Sequence, residues 1–204
     1  MIKLITFFLL LASITQAATK VEKSEKNTLE INLKGDAVTI KLPDVAQQVL
    51  TKWNPDFKPF DRKDYSKSII ELFKDIGVNQ MPMAFIDDLD GNGKKDIVLL
   101  GNDKKNQFVV ALLQLDKKWT LIKVDQMDIE NIKDTEIPTE VSGTSVVKET
   151  GIPLYILQAQ GEHATKLKEK KKVGIQVETY LGAGDVFEIT DSTDGMKAVK
   201  FMLD

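Results

Sequence analysis

The chain has 204 residues, a formal net charge of −3 from 28 Lys+Arg and 31 Asp+Glu, one histidine and no cysteine. That length suffices for one sizeable core; the lack of cysteine excludes disulfides and thiol nucleophiles, and a lone histidine excludes zinc sites built from several. A weakly acidic balance argues against nucleic acid as partner, because domains that bind it carry a strongly basic stripe.

At the N-terminus, Lys3 precedes an apolar run from Leu4 to Ile14 that ends in Thr15-Gln16-Ala17. A charged residue, an apolar stretch and small residues at a cleavage point are the three regions of a secretory signal peptide, here residues 1–17. The run is shorter than the ~20 apolar residues needed to span a bilayer. No later segment reads as transmembrane, and no cysteine near the cleavage point can take a lipid. The expected location is periplasmic or extracellular. Residues 18–27 (ATKVEKSEKN) have almost nothing to bury and read as a flexible lead-in, which leaves residues 28–204 as a single α+β domain.

Leu29-Glu-Ile31-Asn-Leu33 and Val38-Thr-Ile40-Lys-Leu42 alternate with period two around Gly35-Asp36, the pattern of a hairpin. Val45, Val49, Leu50 and Trp53 then fall at helical spacing behind Pro43, and Asn54-Pro55 stops the run. Ile69, Ile70, Leu72, Phe73 and Ile76 form the apolar face of a second helix over Tyr65 to Ile76. Trp53, Phe57, Phe60 and Trp119 are read as core aromatics, the alternative being the lining of a ligand groove.

After Asn79 the chain breaks into short apolar or alternating runs: Met83–Ile86, Ile97–Leu100, Phe108–Leu115, Trp119–Val124, Val146–Glu149, Leu154–Gln158, Ile175–Tyr180, Val186–Ile189 and Ala198–Met202. Turns at Gly101 to Asp103, Asp116 to Lys118, Gly182 to Gly184 and Asp194-Gly195 are short enough for hairpins, so the runs read as an antiparallel meander. Asp125 to Gly143 is acidic and irregular, a surface loop or one short helix. Lys166 to Lys172 (KLKEKKK) reads as a solvated loop, with anionic envelope lipid or polymer as the alternative contact.

One segment carries chemistry. Asp88-Leu-Asp90-Gly-Asn92-Gly-Lys94-Lys-Asp96 sets side-chain oxygens at loop positions 1, 3, 5 and 9, a glycine at 6 and the Lys94 carbonyl at 7. Calcium takes six to eight oxygens, and donors on alternate residues of a curled loop point at one centre. Gly93 permits the sharp turn, and Asp87 stands beside the loop as an outer group. Position 12, a bidentate Glu in a helix-loop-helix hand, is Leu99 here, and apolar runs flank the loop on both sides. The segment Met83 to Gly101 (MAFIDDLDGNGKKDIVLLG) resembles the calcium loop of FG-GAP and VCBS-type repeats. In those repeats D-x-D-G-[DN]-G-x-x-D lies between two hydrophobic strands. The resemblance implies Ca2+ held by the side chains of Asp88, Asp90, Asn92 and Asp96 and by the carbonyl of Lys94. It covers one unit, so the multi-copy propeller of those families is not implied.

A strand ending in D-x-D-G also resembles the opening of haloacid-dehalogenase-like phosphatases, which would make Asp88 a nucleophile and Asp90 an acid/base. Asn92 stands where that family favours Thr, and a strand follows where a helix is expected. His163 lies in a polar stretch, and no G-x-S-x-G or phosphate-cradling glycine motif is present. The expected fold class is α+β: an N-terminal hairpin and helical segment packed on an antiparallel β-meander, with one strand-loop-strand calcium unit. The expected function is an exported calcium-binding, non-enzymatic protein of the bacterial envelope, its metal structural and its partner a protein or envelope polymer. A metal-assisted hydrolase, phosphatase or glycosidase, is the alternative. Processing is directly testable: intact-mass measurement of exported protein should give a chain beginning at Ala18, and a retained Met1 refutes the cleavage site.

Overall fold

The structure is a computed structural model and describes residues 30–32, 39–61, 64–65, 83–116, 118–129, 154–179 and 184–203. The segments read as a signal peptide and a lead-in, the helix read over Tyr65 to Ile76 beyond Tyr65, and the run Val146–Glu149 lie outside those residues. The described elements are β1 (Glu30–Asn32), β2 (Thr39–Lys41), α1 (Asp44–Trp53), β3 (Lys58–Pro59), β4 (Ala84–Asp87), β5 (Asp96–Asn102), β6 (Asn106–Leu115), β7 (Lys118–Asp128), β8 (Leu154–Gln158), α2 (Gly161–Glu169), β9 (Ile175–Thr179), β10 (Asp185–Ser192) and β11 (Gly195–Lys200).

The class is α+β, and every described strand pairing is antiparallel. The expected single meander is divided between two sheets. A five-stranded sheet runs β3-β5-β6-β7 with β4 also on β5, a four-stranded sheet runs β11-β10-β9-β8, and β1 and β2 form a separate two-stranded pair. On β5, β3 takes Gly101 and Asn102 while β4 takes Asp96 to Leu99, so the two short strands follow one another along the same edge. The apolar runs of β5 and β6 do not alternate, because Ile97 to Leu100 and Phe108 to Leu113 are buried throughout. That is the pattern of strands covered on both faces. One core cluster joins them to Ala46 and Leu50 of α1 and to Leu154, Ile156, Ile175, Val177 and Ile189 of the four-stranded sheet.

Helix α1 begins after Pro43 and ends at Trp53, with Asp44 in its first turn and Lys52 in its last, each placed favourably for the helix dipole. Its inward stripe is Ala46, Val49, Leu50 and Trp53. Val45 is 46% exposed and faces out, a correction to the expected stripe that takes one position of helical rotation. Phe57 and Phe60 are buried, and Trp53 meets Phe57 and Phe108 edge-on at 5.6 and 5.1 Å, so these aromatics are core. Trp119 is partly buried against the same core.

Two further corrections concern segments read as loops. Strand β7 continues through Asp125 to Asp128, because β6 offers partners as far as Asn106. The polar segment Gly161 to Glu169 is helical. It is anchored by Leu167 alone, fully buried with Ala159 and Val186. Of the basic run, Lys170 and Lys172 both bind Glu188 on β10, at 2.8 and 3.0 Å. No helix among the described residues is long and apolar enough to cross a membrane.

Gly101 shows how tightly β3 is seated. A Cβ there would stand 2.6 Å from the Phe57 ring and closer still to the Lys58 carbonyl. Gly101→Ala should therefore lower stability by about 1–3 kcal/mol through overpacking, read as a lower midpoint in urea; an unchanged midpoint would mean that β3 is not held against β5.

Candidate metal centre

The loop between β4 and β5 is shaped by its own acceptors. Asp88 accepts the amides of Gly91 (2.9 Å) and Gly93 (2.8 Å). Asp90 accepts the Asn92 amide at 3.0 Å, and Asn92 in turn accepts the Lys94 amide at 2.7 Å. Successive side chains thus fold the backbone beneath them, as Asp and Asn do in turns. Gly91 and Gly93 have φ of +80° and +83°, the left-handed region that glycine enters without steric penalty.

Curling draws the carboxylates together. One oxygen each of Asp88, Asp90 and Asp96 lies within 4.8 Å of the others. Asp96, the first residue of β5, is wholly buried. Its two oxygens accept the Leu89 amide of the loop (2.9 Å) and the Gln114 amide of β6 (2.8 Å). Burial pushes its carboxyl up to about 6, the two amides pull the other way, and the charges of Asp90 and Asp88 add to the rise. The neighbouring cations are engaged elsewhere: Lys94 binds Asp116 at the β6–β7 turn, and Lys95 binds Asp87. Among the described residues no lysine or arginine pairs with Asp88, Asp90 or Asp96.

Of the residues expected from sequence, the three aspartates converge. Asn92 sits in the same loop, its amide nitrogen bound to Asp90 (2.9 Å) and to the Gln114 carbonyl (3.2 Å). Lys94 follows it, held by its backbone amide to Asn92. Asp87 is outside the three-carboxylate group. It accepts Lys95 Nζ at 3.0 Å and Gln158 Nε2 of β8 at 2.7 Å, which ties the loop to the other sheet. Sequence reasoning missed Gln114, brought to the site on β6, and Gln158, whose side chain crosses from the other sheet to Asp87; both lie far along the chain, and no local pattern marks them. His163 is remote in role, half-buried on α2 with its ring 6.0 Å from Phe201.

Three carboxylates at this spacing, one of them dry, form an oxygen-rich site suited to a hard divalent cation. Comparison of the chain with protein-family models, with curated proteins and with solved structures gives no match.

The Asp96 shift fixes a sign. A carboxyl near 6 in the folded chain and about 3.9 unfolded binds its proton more tightly when folded. Its contribution to stability in chelator is therefore full below about pH 4 and is lost as pH rises through about 6. A bound divalent cation acts oppositely, because it needs the ionised form. The difference in unfolding midpoint with and without calcium should be largest at neutral pH and vanish as pH falls through about 6; a difference independent of pH across that range would remove Asp96 from the site.

Proposed function

We propose that this is an exported calcium-binding protein of the cell envelope, non-enzymatic, in which the ion has a structural role and the partner is a protein or an envelope polymer. The observation that carries the metal reading is the convergence of Asp88, Asp90 and Asp96 with no lysine or arginine among the described residues paired to them. Like charges gathered in this way repel, and a divalent cation converts the repulsion into attraction. Calcium is favoured over magnesium because the donors form an irregular, loop-borne set, whereas magnesium demands a strict octahedron and keeps its waters. Asp88, Asp90, Asn92 and Asp96 supply side-chain oxygens and Lys94 its carbonyl in this reading.

The ion would pin β4 to β5 across their connecting loop as one strand-loop-strand unit. The non-enzymatic reading rests on what surrounds it. The loop returns directly into an antiparallel strand, paired Asp87 to Asp96, where the phosphatase resemblance calls for a helix. The export reading rests on the sequence of residues 1–17.

Extracellular modules hold calcium with dissociation constants of about 10⁻⁴–10⁻³ M. At roughly ten times that constant the ion adds about 1.4 kcal/mol, which for a chain of this size raises the unfolding midpoint by roughly 3–6 °C. Magnesium at the same concentration should do less. Asp90→Ala removes one ligand and no core group, so it should abolish the calcium shift while leaving the midpoint in chelator nearly unchanged. Equal shifts in wild type and Asp90→Ala, or none in either, would reduce the loop to a turn.

A further inference from the structure

We infer that the Asp88–Asp96 loop controls the turn that follows α2, so that calcium binding locks the lysine-rich segment Lys170 to Lys172 in place. The inference rests on the calcium reading above and adds a target for it. Gly91, at the crown of the loop, faces this turn: a Cβ on Gly91 would lie 3.0 Å from the Lys171 carbonyl oxygen and 3.6 Å from that of Lys170. The loop backbone therefore packs directly on the carboxyl end of a helix.

Two properties of that end make it responsive. First, it is a strained cap. The amide of Lys172 donates to Leu167 O at 3.0 Å and that of Lys171 to Lys168 O at 2.9 Å, the paired closure in which the residue at the Lys171 position is usually glycine. Lys171 takes it with φ of +58°. A left-handed conformation is unfavourable at a residue with a side chain and persists only where neighbours hold it. Second, the carbonyl end of a helix carries partial negative charge. It abuts a loop bearing three carboxylates with which no lysine or arginine among the described residues pairs. Lys170 and Lys172 are turned to Glu188, so the carbonyl end itself faces the loop, and a divalent ion there would make the contact more favourable. A second link, Asp87 to Gln158 at 2.7 Å, holds the loop to β8, just ahead of α2.

Calcium should then order the turn more than it orders the rest of the surface. The test is amide exchange of the full mature chain, followed by mass spectrometry, with and without calcium at about ten times its dissociation constant. If opening of the turn and loss of the ion are linked, the amides of Lys170 to Lys172 slow by up to about tenfold. Those at Asp194-Gly195, in the β10–β11 turn away from the loop, stay unchanged. Asp90→Ala should lose the effect at Lys170 to Lys172. A raised unfolding midpoint with unchanged exchange at these lysines overturns the coupling and leaves the calcium reading standing. Equal slowing at Asp194-Gly195 also overturns it, and no response in either midpoint or exchange overturns both.

Discussion

A carboxylate cut off from water must find its hydrogen bonds and its counter-charge inside the protein, and Asp96 imposes that requirement at the start of the most connected strand. Strand β5 pairs with β3 and β4 on one edge and β6 on the other. Asp96 fixes where it begins: one oxygen holds the loop at Leu89 and the other holds β6 at Gln114. Two amides are a partial answer. They favour the ionised form, yet burial and the adjacent Asp88 and Asp90 outweigh them and push the carboxyl up to about 6. The hydrogen bonds are met, while among the described residues no lysine or arginine meets the charge, and that is the place a cation takes in the proposed reading.

The strand that carries this carboxylate also limits what a cation can do. In a helix-loop-helix hand the last ligand comes from a helix that can swing. Here the corresponding position is Leu99, wholly buried in the middle of β5 and paired with both Ala84 and Val110. A central strand cannot move without breaking the core. Binding energy at the loop must therefore appear as local ordering and not as an opened groove. The elements free to respond are those at the loop's outer side, namely the α2 turn at Lys171 and the link from Asp87 to Gln158.

What was legible in the sequence was local. Donor spacing along the loop is a property of nine consecutive positions, so Asp88, Asp90 and Asp96 were readable together. The strand pairings of β5 with β6 and β6 with β7 were likewise readable, from continuous apolar runs separated by short turns. What failed needed information from elsewhere in the chain. Helix α2 buries Leu167 as its one fully covered side chain, which gives no apolar periodicity to detect. Lys170 and Lys172 look solvated until Glu188 arrives from β10. Val45 and Ala46 compete for the inward face of α1, and the smaller residue wins because β7 packs there. The division into two sheets follows from pairing choices that no single run declares.

If the chain is exported as proposed, its lack of cysteine gives such a loop a purpose. A disulfide stabilises chiefly by restricting the unfolded chain, whereas a bound ion stabilises the folded one in proportion to its concentration. Outside the cytoplasm calcium is present near the range in which loops of this kind bind. In the proposed reading the ion would do for β4 and β5 what a cross-link does in exported domains, with one difference. A disulfide is indifferent to its surroundings once formed, but in the proposed reading the three-aspartate site would remain coupled to calcium and, through Asp96, to protons. The five-stranded sheet buries Ile97 to Leu100 and Phe108 to Leu113 beside that site. In the proposed reading the coupling acts on the surface beside it, where Gly91 meets the α2 turn.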